Sequence, residues 1–397
     1  MTLILGQEAE PAAPSSTKVH AYYAPDGTLK AKKSDGSLTT LGGGSIARNA
    51  LTNGTFLYAQ RQAPGTLTSY SSFSGGRKYA ADRWGITGEN DSVQYRRVDS
   101  IAAPETGLGA RYYGELKKIT SAGKIILSQW IEGVDSAPYR GRRVRVQFKA
   151  KNSVGSHVLR CALIYLSSSG TVDTIPATFV SAFGAASTDP TWGSNLATVA
   201  PTVGSAYSTI SGNGLSSTLT SSWRTYGGVF VVPASALNIG VAIWTDGQPA
   251  ANDIFHLSEV ALFDGDEERA AILTDVHDEL ERCHRYCAKT FNLDTAPASN
   301  VGAATGEFRF QATAAGASTF RSPNHFFPVR MRAAPTITLY NPAAAGAEAR
   351  DVNASATCSS TGSFNASERG CTIHATGAVG TAVGNAIGIH ILAEAEL

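Results

Sequence analysis

KIILSQWIEG (Lys124–Gly133), RGRRVRVQFKAK (Arg140–Lys151) and SHVLRCALIYL (Ser156–Leu166) follow one another in the middle of the chain, and their reading decides the fold. Each run is rich in β-branched and aromatic residues and is bounded by Gly, Pro, Asp or Ser, which predicts three strands separated by turns. In the second, Val144, Val146, Phe148 and Ala150 alternate with Arg143, Arg145, Gln147 and Lys149. That period of two puts apolar groups on one face and polar groups on the other, as in a sheet with one face on a core and one in water. The third differs. Val158, Arg160, Ala162, Ile164 and Leu166 alternate with Leu159, Cys161, Leu163 and Tyr165, so nearly every position is apolar and the strand is expected to be covered on both faces. No catalytic signature lies in this stretch, so function has to be read from what is hung on the sheet.

The 397 residues suffice for two or three domains. Charged residues make up only 16% of them, against about a quarter in typical globular chains, while Gly, Ser, Thr and Ala abound. This is a turn-rich, β-rich composition. A net charge of +1 creates no long-range field, which argues against nucleic acid as a partner. No run of about 18 apolar residues is present, so no membrane span is expected. The first residues, MTLILGQEAEPAAP, lack the basic and apolar regions of a secretory signal. Synthesis and assembly in a cytosol follow as the expectation. Five cysteines are too few for a disulfide framework in a chain of this size, and although Cys358 and Cys371 could pair across a loop, free thiols are expected.

Outward from the centre, four segments are expected. Residues 1–45 hold a polar, Pro-rich arm (1–17) and a meander of three short strands, Val19–Ala24, Thr28–Lys33 and Ser37–Leu41, turning at two Asp-Gly pairs. Such a meander is marginal alone and needs a partner surface. Residues 46–266 carry strand candidates Gly54–Gln60, Asp82–Thr87, Gln94–Val98, Tyr226–Val232, Asn238–Thr245 and Phe255–Phe263 beside the central three, a spacing that suits an antiparallel sandwich. The Ser/Thr/Gly-rich interval 167–222 is too long for a bare loop and should be an excursion with short strands. Residues 267–291 read as a helix, with Asp266 as its N-cap and Leu273, Val276, Leu280, Cys283 and Cys287 spaced 3, 4, 3, 4. That stripe is either the closing face of one domain or a seam between identical chains. Residues 292–397 return to strands: Glu307–Thr313, Ser318–Arg321, Phe326–Met331, Thr336–Tyr340 and Ala386–Glu396.

Among chemical groups, Trp192 in STDPTWGSN is the aromatic expected to be exposed, with Asp189 and Asn195 beside it to bind sugar hydroxyls and Tyr207, Tyr70 and Tyr226 behind it. Trp84, Trp130 and Trp244 lie in strand patterns and read as core. Cys283, His284 and Cys287 with His277 do not make a metal site, because only the two cysteines share a helix face. Asp264, Asp266 and Glu267 lack Ca²⁺-loop spacing. There is no GxSxG, HExxH or P-loop, and Glu89, Asp91, Glu105 and Glu132 are scattered, so neither catalysis nor a cofactor is expected.

LTNGTFLYAQRQ (Leu51–Gln62), YAADRW (Tyr79–Trp84), LSQWIEG (Leu127–Gly133), YRGRRVRVQFKAK (Tyr139–Lys151), SSWRTYGGVFVVPA (Ser221–Ala234) and HLSEVALFDGD (His256–Asp266), in this order, resemble the carbohydrate-binding-module-like jelly roll of tail-fibre and other virion proteins of tailed phages. ELERCHRYCAKTF (Glu279–Phe291) is similar to the helix that follows it there, and FFPVRMRAAPTITLYNP (Phe326–Pro342) to the start of a C-terminal β domain. The meander resembles virion-attachment segments. The resemblance implies a mainly β chain: an antiparallel jelly-roll sandwich, a linking helix and a smaller C-terminal β domain. It further implies a non-enzymatic homotrimeric fibre or spike of the virion, assembled in host cytoplasm, held to other virion proteins through residues 1–41 and displaying a surface for bacterial polysaccharide. A head fibre or capsid decoration without ligand, and a capsule depolymerase, are the rival readings.

Overall fold

The computed structural model describes residues 20–23, 29–32, 38–42, 49–91, 93–119, 123–199, 201–204, 209–211, 214–266, 269 and 275–397. The chain forms two compact units, Met1–Arg48 and Asn49–Leu397. The first holds the expected meander, an antiparallel sheet of His20–Tyr23, Leu29–Lys32 and Leu38–Gly42 in that order. The 1–17 arm lies outside the described residues.

The second unit is built on an antiparallel jelly-roll sandwich. One sheet has seven strands in the order Pro201–Gly204, Arg224–Val231, Arg143–Val154, Ile254–Asp264, Tyr112–Lys118, Val93–Asp99 and Thr68–Tyr70. The other has eight: Thr209–Ser211, Gly214–Thr218, Val158–Leu166, Asn238–Thr245, Ile125–Trp130, Trp84–Gly88 and Lys78–Ala81 in order, with Leu196–Val199 also on Val158–Leu166. Val144, Val146, Phe148 and Ala150 face inward, as their alternation predicts, and meet Leu127, Leu159, Cys161, Leu163, Val241 and Ile243 from the other sheet in one core. Each large side chain so buried contributes about 1.5–3 kcal/mol.

The third central strand is covered on both faces. Ala162, Ile164 and Leu166 join a second core with Ile126, Trp130, Phe179 and Trp244 on the outer side of the eight-stranded sheet. The polar face of Arg143–Val154, in contrast, is not simply wet: Arg145 is 8% and Gln147 4% exposed. The chain after the Ile254–Asp264 strand returns over them. The Gln147 amide donates to Arg269 O (2.6 Å) and accepts from Arg269 N (3.2 Å), and Arg145 donates to Asp266 O (3.2 Å). Alternation therefore reported the polarity of this face but not its exposure.

Two further assignments change. Gly54–Gln60 is a loop rather than a strand, with Asn53 and Phe56 in the left-handed region (φ 57° and 55°). The helix spans Val276–His284 and is capped by Asp275, which accepts from His277 N at 2.8 Å, instead of starting at Asp266. It docks on its own chain: Tyr58 donates to Val276 O (2.7 Å), and Arg282 to Asn49 O (3.2 Å) and Leu51 O (3.0 Å). The 3-4 stripe is accordingly not one helical seam. Leu273 lies outside the described residues, Val276 is 52% exposed, Leu280 is half-buried and Cys283 is fully buried. Cys287 has left the helix altogether and pairs with Glu394 in a sheet.

In the C-terminal part, Ala386–Glu394 is the central strand, pairing with Cys287–Lys289, Phe308–Gln311, Thr336–Tyr340 and Arg350–Asp351, and its Ile387, Ile389 and Ile391 are buried as predicted. Gly370–Thr376 carries a second small sheet with Thr319–Arg321, His325–Phe326 and Ser360–Ser367. Of the expected Phe326–Met331 strand only Phe326 lies in a strand, the two-residue His325–Phe326. All five cysteines, Cys358 and Cys371 included, are free and buried. Ionic contacts tie this part to the sandwich. Arg61 meets Glu394 (2.6 Å) and Glu396 (3.1 Å), Arg83 also reaches Glu396, and Arg285 holds both Glu132 oxygens at 2.7 Å.

Candidate functional site

The 167–222 excursion covers the eight-stranded sheet. Thr191–Trp192 pairs with Val180–Ala182, and the half-buried Trp192 ring lies 5.2 Å from Phe179 and 5.6 Å from Trp244. Asp189 accepts from Arg160 at 2.7 Å. The Arg160 guanidinium also holds Asp246. Lys124, fully buried, donates to the carbonyls of Phe183 (2.9 Å), Ala185 (2.7 Å) and Thr188 (2.7 Å), and burial holds its pKa below the usual lysine value. Asn195 is exposed in the left-handed region (φ 63°), its carbonyl taken by Ser167 N. Trp192 is thus part of the packing and not a ring at a free loop tip. Tyr226 is in the main core, Tyr70 accepts from Gln62, and Tyr207 lies outside the described residues.

A better recognition geometry lies on the seven-stranded sheet, where Val93–Asp99 and Tyr112–Lys118 form a hairpin with Asp99 opposite Tyr112. Its loop, residues 100–111, is clasped at the base. Ser100 N donates to Arg111 O (2.9 Å), and Arg111 reaches both Asp99 oxygens (2.7–3.2 Å). Hydrogen bonds from Arg111 hold the Asp99 carboxyl below its usual range. On one side of this base opens a cleft of about 500 Å³ lined by Pro64, Gly65, Arg96, Arg97, Asp99, Arg111, Tyr112 and Asp294. The Tyr112 ring has the guanidinium carbons of Arg97 and Arg111 at 4.8 and 4.9 Å from its centre, and Arg97 also binds Asp294 (3.0 Å) and Leu57 O (2.6 Å).

On the other side, the loop lies over an ionic and aromatic cluster. Strand register sets Arg96, Glu115, His256 and Lys151 in one row across four adjacent strands. Tyr113 packs edge-on to Trp223 (5.4 Å) and against His256 (4.8 Å). From the loop, Glu105 places both carboxylate oxygens 2.7 Å from Lys151 Nζ, and Trp223 Nε1 donates to it at 3.3 Å. Burial pushes the Glu105 carboxyl up, but Lys151, Trp223 and His256 together pull it below its ordinary value. Glu115 is lowered in the same way, with His256 and Arg96 outweighing its burial.

The cleft offers an aromatic ring beside fixed donors and acceptors, the requirements for holding a polyol ring. Among the described residues no three His, Cys, Asp or Glu side chains are placed to hold a metal ion. Asp264 and Asp266 instead meet Arg142 and Arg143. The sequence signal for the cleft was YRRVDS (Tyr95–Ser100) answered by ARYYGELKK (Ala110–Lys118), an Arg/Asp-rich pair of runs across a Pro- and Gly-containing turn.

No family model and no curated protein matches this chain. Solved structures give distant likenesses in β-sandwich architecture. The enzymatically active domain of tailspike protein 4 of bacteriophage CBA120 is 13% identical, with a TM-score of 0.32, over 55% of this chain and 21% of that one. This chain therefore spans about a fifth of the tailspike domain's length. A family 61 carbohydrate-binding module bound to β-1,4-galactotriose is 14% identical with a TM-score of 0.29, over 55% of this chain and all of the module. A family 11 module of Clostridium thermocellum bound to a mixed-linked tetrasaccharide is 15% identical with a TM-score of 0.27, over 49% of this chain and 98% of the module.

Among the described residues no helix is long and apolar enough to cross a membrane.

Proposed function

We propose that the chain is a virion protein of a tailed phage, a homotrimeric fibre or spike whose sandwich binds host surface polysaccharide without cleaving it. The observation that carries the binding role is the hairpin cleft, where the guanidiniums of Arg97 and Arg111 both lie against the Tyr112 ring and Asp99 and Asp294 share the wall. A pyranose ring carries hydroxyls that both donate and accept, which these ion-paired groups match without a new buried charge. Arg97 lies on the Val93–Asp99 strand and Arg111 at the base of the loop, where it is clasped to Asp99, so the geometry is set before ligand arrives, which lowers the ordering cost of binding. Attachment through residues 1–41 is supported by their forming part of a unit separate from Asn49–Leu397.

The test is a glycan array probed with wild type and Tyr112→Ala. The proposal expects a saccharide class bound by wild type and lost in the variant, with Tm nearly unchanged because Tyr112 stands at a cleft wall rather than in the core. Binding that survives the substitution would remove the cleft from the account.

A further inference from the structure

The hairpin loop carries a carboxylate of its own into the cluster that it covers. We propose that residues 101–110 are a displaceable plug, with Glu105 standing where a hexuronate carboxylate binds on Lys151 and Trp223, so that an acidic saccharide lifts the loop off Tyr113, Trp223 and His256. The inference rests on the saccharide reading of the adjoining cleft and deepens it by naming the class of sugar.

Four observations support it. Lys151 and Trp223 present to Glu105 what a carboxylate ligand needs, an ammonium at 2.7 Å from both oxygens and an indole N–H at 3.3 Å. Beside them, Trp223 and His256 are only 6% and 5% exposed, and the cover over Trp223 includes the loop itself, since Gly107 has space for a Cβ only 3.4 Å from the Trp223 backbone oxygen. His256 is only partly satisfied: Nε2 faces Glu115 Oε2 at 3.3 Å in an ionic contact, while Nδ1 has no hydrogen-bond partner. Glu115 Oε1 and Arg96 Nε are also buried without partners. Buried polar atoms left so are costly, and sugar hydroxyls would satisfy them. Finally, the loop is fastened by polar contacts, Lys149 to Gly107 O (2.7 Å) and Glu259 to the N–H groups of Gly109 (2.6 Å) and Ala110 (3.0 Å), while Ile101 is 65% exposed. Gly107, at φ +89°, supplies a position where the backbone can pivot. A cover held in this way opens locally at low cost.

The test is calorimetric titration of the full chain and its variants with trigalacturonate and with uncharged galactotriose. Glu105→Gln is expected to bind trigalacturonate at least about tenfold more tightly than wild type. Adding Lys151→Met should abolish that gain, and neither change should alter galactotriose binding. A Glu105→Gln protein with unchanged affinity for the acidic sugar overturns the plug. If Tyr112→Ala loses saccharide binding while Glu105→Gln gains nothing, the cleft stands and the plug falls. If Glu105→Gln gains while Tyr112→Ala is inert, the plug stands and the cleft falls. Should Glu105→Gln fail to fold, amide exchange on wild type decides: trigalacturonate must accelerate exchange at Gly109 and Ala110, whose N–H groups are bonded to Glu259, and protection or no change there overturns the proposal.

Discussion

On the outer face of the eight-stranded sheet, Phe179 and Trp192 lie on Trp130, Trp244 and Ile164, and the covering chain is further pinned by Lys124 and Arg160. On the outer face of the seven-stranded sheet, the 100–111 loop touches Lys151, Trp223, Lys149 and Glu259 through hydrogen bonds and charge. The first cover removes aromatic surface from water and is worth stability in proportion to that area. The second exchanges solvated polar groups for paired ones, which is worth little net. One sandwich thus has a structural side and a recognition side, distinguished by what holds the cover down.

The largest expected effect lies on the structural side. Trp244→Ala should cost about 3–5 kcal/mol, as for large aromatic truncations in cores, and lower Tm sharply, since Trp244 is fully buried against Trp192. Denaturant titration checks it, and a loss below about 1 kcal/mol would equalise the two covers. Next comes Lys124→Met, which removes the three hydrogen bonds that this buried ammonium donates to the carbonyls of Phe183, Ala185 and Thr188. A loss of about 2–4 kcal/mol is expected, read from the same titration.

The contrast was only partly legible in the sequence. Strands with alternating apolar positions, Arg143–Val154 and Ala386–Glu394, were readable because a period of two survives any tertiary context. Tyr112–Lys118 was not, because YYGELKK mixes Gly and three charges; its Lys118 is nevertheless buried, donating to Glu89 O. Asp266 looked like a helix cap, yet Asp275 has the capping geometry, and both are followed by acidic residues. Trp192 looked exposed for want of apolar neighbours in sequence, whereas its partners Phe179 and Trp244 come from elsewhere in the chain. Which loop returns over which sheet face is a long-range fact, and the cleft and its plug depend on it.

A smaller effect sharpens the recognition side through pH. The Glu105 carboxyl is held below its ordinary 4.5 by Lys151, Trp223 and His256 despite its burial. Its contribution to fastening the loop is therefore complete above pH 4.5 and is lost as the pH falls through the lowered value. Amide resonances of Gly107 and Gly109 should broaden or shift in that acid range while Gly193, in the apolar cover, stays unchanged; simultaneous change at all three would count against separate covers. The smallest effect is expected at Asn195→Gly. The residue is exposed with φ 63°, so glycine fits and stability should move by less than about 0.5 kcal/mol, with saccharide binding unaltered.

Native-state amide exchange at neutral pH, comparing residues 100–111 with residues 178–199, tests the division between the two sides most directly. The account predicts that the hairpin loop exchanges through local opening far cheaper than global unfolding, while the hydrogen-bonded amides of Phe179, Val180 and Gly193 exchange only when the whole sandwich unfolds. Equal protection of both covers would contradict it.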